Sequence, residues 1–364
     1  MDDHNVDELP LWAWLVPVAA AVVLVLKVVH VLPAESGFVL GLASVLLGGA
    51  VFAAVHHAEV IALRVGEPFG SIVLAIAVTV IEVALIVSIL VGATAGSEYL
   101  ARDTVFATVM IVLNGIIGVC LVVGGVRHFE QSFQTAAAST ALSVLGTLAT
   151  ITLVLPNYTL ATPGQTYNTA QLAFVSAACV ILYGVFLFVQ TIRHRDYFLA
   201  DASESYPVHD TPSNRTAAVS VGLLILSLVG VVLLAKTLSP VLEAGIADAG
   251  LPKAFVGVII AAVVLLPEGV AAVRAAAANR LQTSLNLALG SAMATIGLTI
   301  PAVAIFAIST GKSFELGLDP EEMALLVLSL FIASVTLATG RTTVLQGAVH
   351  LVIFAIFIFL AAVP

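Results

Sequence analysis

Eleven apolar stretches, each close to the roughly twenty residues that a helix needs to cross a bilayer, dominate this chain. They run over 11–32, 38–63, 70–93, 104–126, 138–155, 170–192, 217–238, 253–276, 283–309, 321–339 and 342–363. Inside hydrocarbon each backbone N–H and C=O has to be satisfied within its own segment, so runs of this kind fold as helices. The predicted fold class is an all-α polytopic membrane protein. The charge content agrees: 13 Lys+Arg and 22 Asp+Glu in 364 residues cannot clothe a soluble domain. A net charge of -9 with no basic stripe leaves no footprint for nucleic acid. Cys120 and Cys179 both lie inside apolar runs and read as small packing residues rather than as a disulfide or a metal site. The opening MDDHNVDELP is acidic and lacks the basic start of a cleavable signal, so the first helix is expected to be retained. Trp12 and Trp14 at its start suit an interfacial belt.

The basic residues orient these spans. With the amino terminus cytoplasmic, one side receives Arg64, Arg127, Arg193, Arg195, Arg215, Arg274, Arg280 and Arg341, and the other Lys27, Arg102, Lys236, Lys253 and Lys312. The positive-inside rule then places the amino terminus in and the carboxy terminus out. The longest hydrophilic connection, RHRDYFLADASESYPVHDTPSNRT, covers 193–216. It divides the chain into an amino-terminal tail and helix (1–37), a first five-helix block (38–192), a cytoplasmic linker and a second five-helix block (217–364). Five is odd, so the second block enters the membrane upside down relative to the first. That is the plan of inverted-repeat transporters, whose sites lie near the midplane.

Each block carries one glutamate at the matching place, in its second span. GSIVLAIAVTVIEVALIVSILVG, residues 70–92, holds Glu82, and VVLLPEGVAAV, residues 263–273, holds Glu268. A charged side chain at a helix centre costs about 2.5–3.5 kcal/mol on insertion scales, so two at matched positions point to function. Pro267 removes a helical donor from the Val263 carbonyl, and Glu268 sets a hard anionic oxygen beside it, the chemistry that Ca2+ prefers. Thr79 lies one turn before Glu82 on the same face. In the following spans, FATVMIVLNGIIGVCLVVGG carries Asn114, and LNLALGSAMATIGLTIPAV carries Ser291, Thr295 and Thr299 in one row, with Pro301 freeing the Gly297 carbonyl. Gly115, Gly118, Gly290 and Gly297 would let helices approach closely. The bland readings are a protonated buried acid for the glutamates, helix glue for Asn114, and a bond back to their own helix for the hydroxyls.

The segments GEPFGSIVLAIAVTVIEVALIV (66–87) and LLPEGVAAVRAAAANRLQTSLNLALGSAMATIGLTIPAV (265–303) closely resemble the two alpha-repeats of the calcium/cation antiporter superfamily. Within it the chain looks like the cation/proton exchanger branch, and there like the bacterial sodium-calcium/proton antiporters of the ChaA type. The resemblance implies an eleven-span fold and exchange of cytoplasmic Ca2+ or Na+ for protons without a resident cofactor. It matches Glu82 and Glu268 to the acids that bind cation and proton, Asn114 to the Asn of the first repeat, and Ser291 to the Gly-Ser element of the second. The chain departs from many calcium/proton exchangers in having Val78 and Thr79 before Glu82, Val264 and Leu265 before Glu268, and Ala294 in place of a Gln. Fewer amide ligands give Na+ and K+ weight beside Ca2+.

Two facing carboxylates match the charge of one Ca2+, two Na+ or two H+, and a bare pair in low dielectric is costly. Exchange is therefore expected to be obligatory, with cation and protons competing for Glu82 and Glu268. AVHHAEVIALR places His56, His57 and Glu59 near the cytoplasmic end of the second span, where they suggest a proton-sensing gate or, more plainly, pairing of Glu59 with Arg64. The acidic linker reads as a solvated connection, with cation sensing as its sharper alternative. The competing functions are a cation channel with the glutamates as its filter and, far behind, an intramembrane enzyme with Ser291 as nucleophile and His350 as base. The partners implied are inorganic cations, protons and the lipid bilayer.

Overall fold

The computed structural model describes residues 9–30, 36–66, 69–91, 99–198, 211–311 and 315–363. The described residues contain eleven membrane-length helices: α1 Leu11–Val28, α2 Gly37–Val65, α3 Phe69–Val91, α4 Leu100–His128, α5 Thr135–Tyr158, α6 Thr169–Arg193, α7 Asn214–Asp248, α8 Phe255–Ala277, α9 Leu281–Thr310, α10 Pro320–Leu337 and α11 Val344–Ala362. The all-α polytopic class follows, as one helix and then two groups of five. Local chemistry sets several starts. Asn168 with Gln171, Asp319 with Glu322, and Thr343 with Gln346 form capping boxes at α6, α10 and α11, each satisfying amides that the first helical turn leaves open.

The largest departure from the apolar reading is α7, which continues to Asp248 through Pro240. Its last ten residues leave the apolar run, so hydropathy alone ends the helix early. At 1.5 Å per residue its 35 residues extend well beyond the hydrocarbon core of about 30 Å.

The chain divides into two compact units, residues 1–92 with 203–245 and residues 93–202 with 246–364. Each draws on both five-helix blocks. In the first unit, Ala20 of α1, Ala43 and Leu46 of α2, and Leu234 of α7 form an apolar core. Gly49 admits Val16 of α1, since a Cβ there would lie 2.9 Å from that side chain. The turn from α2 into α3 needs two glycines: Gly66 has φ 74°, and a Cβ on Gly70 would sit 2.7 Å from the Ala62 carbonyl oxygen.

In the second unit α4 is the axis, buried without interruption from Leu100 to Gly118. Glycines bring α11 against it: a Cβ on Gly347 would lie 2.7 Å from the Val122 amide nitrogen, and one on Gly125 2.7 Å from that of Val344. Such backbone contact between membrane helices is open only to small residues. At one end of this unit a two-residue strand β1 (Gln131–Ser132) pairs antiparallel with β2 (Arg341–Thr342). Gln131 there donates to the Ala276 carbonyl at 2.9 Å, and the Gln134 amide donates to Gln282 Oε1 at 2.7 Å, fixing the turn between α8 and α9.

Candidate functional site

In the first unit, Glu82 is 1% exposed on α3. Buried Val78, Ile81, Leu85 and Ile86 lie on the same helix, as the apolar run around it dictates. Thr79, one turn earlier, holds its Oγ1 buried with no hydrogen-bond partner. A helical threonine ordinarily donates to the carbonyl four residues back, as Thr104 and Thr152 do here. Thr79 instead keeps its oxygen uncommitted.

In the second unit, α8 runs unbroken through Pro267, with Pro267 buried and Glu268 half-buried. Having no N–H, Pro267 leaves the Val263 carbonyl without its ordinary helical donor. On α9 the Ser291 Oγ is also buried and without a hydrogen-bond partner. Gly290 beside it faces open space, with nothing within 4 Å of a built Cβ, so it is not a packing glycine. Thr295, 2% exposed, begins a π-helical turn, Thr295–Thr299, which contains Gly297. There a Cβ would lie 2.7 Å from Tyr183 Cβ on α6, so Gly297 does serve close approach.

A matching π-helical turn, Ile111–Ile116, holds Asn114 on α4. These wide turns have no sequence signature, and two of the four among the described residues fall in the third helix of their group, one helix beyond each glutamate; the others are Thr150–Val154 and Val189–Arg193. π turns are frequent at functional sites because they displace backbone groups from the regular ladder. Asn114 is fully buried, and both ends of its amide are bonded. Its Nδ2 donates to Ser329 Oγ on α10 at 2.8 Å, and its Oδ1 lies 3.1 Å from His350 Nδ1 on α11. Sequence reasoning did not link Ser329 to Asn114. The one available signal was a hydroxyl in the apolar run of α10, which carries Ser329, Ser334 and Thr336 alike.

The His pair of the first unit has a structural explanation. Pro17 has no N–H to give the Ala13 carbonyl, and His57 Nε2 lies 3.0 Å from that oxygen. The ring therefore carries its proton on Nε2, and Nδ1 accepts from Ser220 Oγ at 3.3 Å. His57 thus joins α1, α2 and α7. His56 packs against Trp12 with ring centroids 5.2 Å apart, its Nε2 buried without a hydrogen-bond partner. Glu59 is exposed on α2, and Arg64 donates to Asn214 Oδ1 at 2.9 Å rather than to Glu59. Of the linker residues, Asp201, Glu204, His209 and Asp210 lie outside the described residues.

One cluster went unread in the sequence. Buried Arg102, near the start of α4, donates to Asp103 Oδ1 at 2.9 Å, to Gln165 Oε1 at 3.2 Å and to the Gly317 carbonyl at 3.1 Å. Asp319 Oδ2 lies 3.5 Å away. Arg102 so ties the connection before α6 to the connection before α10. Cys120 and Cys179 are both buried free thiols.

The profile described as sodium/calcium exchanger protein matches residues 35–192 and 219–363. A candidate ionic transporter of Sinorhizobium fredii is 55% identical over 98% of this chain and 97% of its own length. The sodium-potassium/proton antiporter ChaA of Escherichia coli is 36% identical over 84% of each chain. Among solved structures, native YfkE superposes with a TM-score of 0.74 over 97% of this chain and all of its own, at 17% identity.

Proposed function

The chain belongs to the sodium/calcium exchanger protein family, and from that premise we propose that it exports Na+, K+ or Ca2+ from the cytoplasm in exchange for protons. Cation and protons compete for Glu82 and Glu268, with alternating access restricted to the loaded forms. The observation that carries this reading is Glu82 itself, a carboxylate 1% exposed in an apolar membrane helix beside an uncommitted Thr79 oxygen. A cation or a proton neutralises a carboxylate held in low dielectric, and an unloaded carrier keeps the cost of that buried charge. Transitions between inward and outward states then require a cargo, which makes exchange obligatory. Ser291, Thr295 and the Val263 and Gly297 carbonyls supply neutral oxygens, the donors that hard cations take. Asn114 belongs with them as an amide of fixed orientation. The similarity to a sodium-potassium/proton antiporter supports monovalent cations as cargo, and the glutamate pair supports a divalent one. The clustering of Arg on one set of connections supports a cytoplasmic amino terminus in the bacterial inner membrane. For His56, His57 and Glu59 we propose a gate-side role in which His57 holds the helices and His56 senses protons.

Everted vesicles carrying a pH gradient and an internal pH reporter test the whole reading. Addition of Na+, K+ or Ca2+ to the wild type is expected to dissipate the gradient, and E82Q and E268Q are each expected to lose the response. Proton-independent downhill cation flux would establish a channel instead.

A further inference from the structure

The bonds around Asn114 form a chain with one direction. Ser329 Oγ lies 3.4 Å from Met110 Sδ and donates to it, so Ser329 accepts from the Asn114 amide nitrogen. That fixes the Asn114 oxygen toward His350, and because an amide oxygen only accepts, the ring proton sits on Nδ1. His350 Nε2, 3.2 Å from Thr336 Oγ1, then accepts from that hydroxyl. Thr336, His350, Asn114 and Ser329 are all buried, and such fully satisfied networks hold their members in single orientations. Gly118 provides room for the ring, since a Cβ there would lie 3.2 Å from His350 Cβ.

We infer that His350 is a positioning residue for cation transport, which holds Asn114 with its oxygen, rather than its NH2 group, available to the cargo. His350 and Ser329 clamp the two ends of the amide from different helices, α11 and α10. His350 occupies one of the two lone pairs of the oxygen, and the other stays open to a cation. Without the His350 donor the amide is free to turn by half a rotation and present N–H groups, which repel a cation. This inference rests on the reading of Asn114 as part of the cation path.

The test compares H350N with H350Q by isotope flux of Na+ and Ca2+ into vesicles, which reads cation affinity whether or not protons are exchanged. Asn at 350 places an N–H where Nδ1 stands and keeps the donor to Asn114. Gln places its amide where Nε2 stands, toward Thr336, and loses that donor. H350N is expected to keep KM within about twofold of the wild type, and H350Q to raise it roughly fivefold with little change in maximal rate, the equivalent of one hydrogen bond. Equal KM values in the two variants, or a fall in maximal rate alone, overturn the inference while leaving exchange intact. A wild type that moves no cation overturns both this and the exchanger reading.

Discussion

At the level of single residues, the pairing of Pro17 with His57 shows how a membrane helix tolerates a missing donor. The Ala13 carbonyl loses its N–H to proline chemistry and regains one from an imidazole 44 residues away. Removing that donor leaves a buried acceptor unmet, at about 1–3 kcal/mol. H57L is therefore expected to lower the thermal midpoint of the detergent-solubilised protein. P17A, which returns an N–H to Ala13, should recover part of the loss in H57L while doing little for the wild type. A double-mutant cycle with no coupling between the two positions would refute this account. Glu82 and Glu268 were legible in the sequence because charge in an apolar run stands out by its cost. The role of His57 was not, since nothing in AVHHAEVIALR reveals that its partner is a carbonyl freed by Pro17. Asn114 was visible for the same reason as the glutamates, but its partners Ser329 and His350, 215 and 236 residues away, become apparent only through packing.

At the level of helices, the glycines separate into two kinds that look alike in sequence. Gly297 sits 2.7 Å, measured from a built Cβ, from Tyr183, whereas Gly290 meets nothing within 4 Å. G297A is expected to destabilise the protein by about 1–3 kcal/mol through overpacking, and G290A to leave the thermal midpoint unchanged. If G290A alters anything, it should be cation KM, because Ser291 lies next to it. Equal destabilisation of the two variants in a melting assay would contradict the assignment. The spans were readable because each needs about twenty apolar residues, whereas the capping boxes at α6, α10 and α11 emerged with the structure. The π turns at Ile111–Ile116 and Thr295–Thr299 were not readable, since a widened turn uses the same residues as a regular one. The polar end of α7 escaped for the opposite reason: helix continues where apolarity stops.

At the level of the whole molecule, each compact unit takes residues from both sides of the central connection. Neither half of the chain contains a complete unit. Cutting within 199–210 is thus expected to give two fragments that fail to accumulate when expressed singly, yet copurify and restore exchange when expressed together. A stable, folded fragment 1–198 on its own would count against this division. The same interleaving bears on biosynthesis. His57 is made early, but Ser220, which completes its bonding, follows 163 residues later. At roughly 5–20 residues per second, the nascent chain waits about ten to thirty seconds for that hydroxyl. During that interval the imidazole can hold only the Ala13 carbonyl, and the seam that α7 completes stays open.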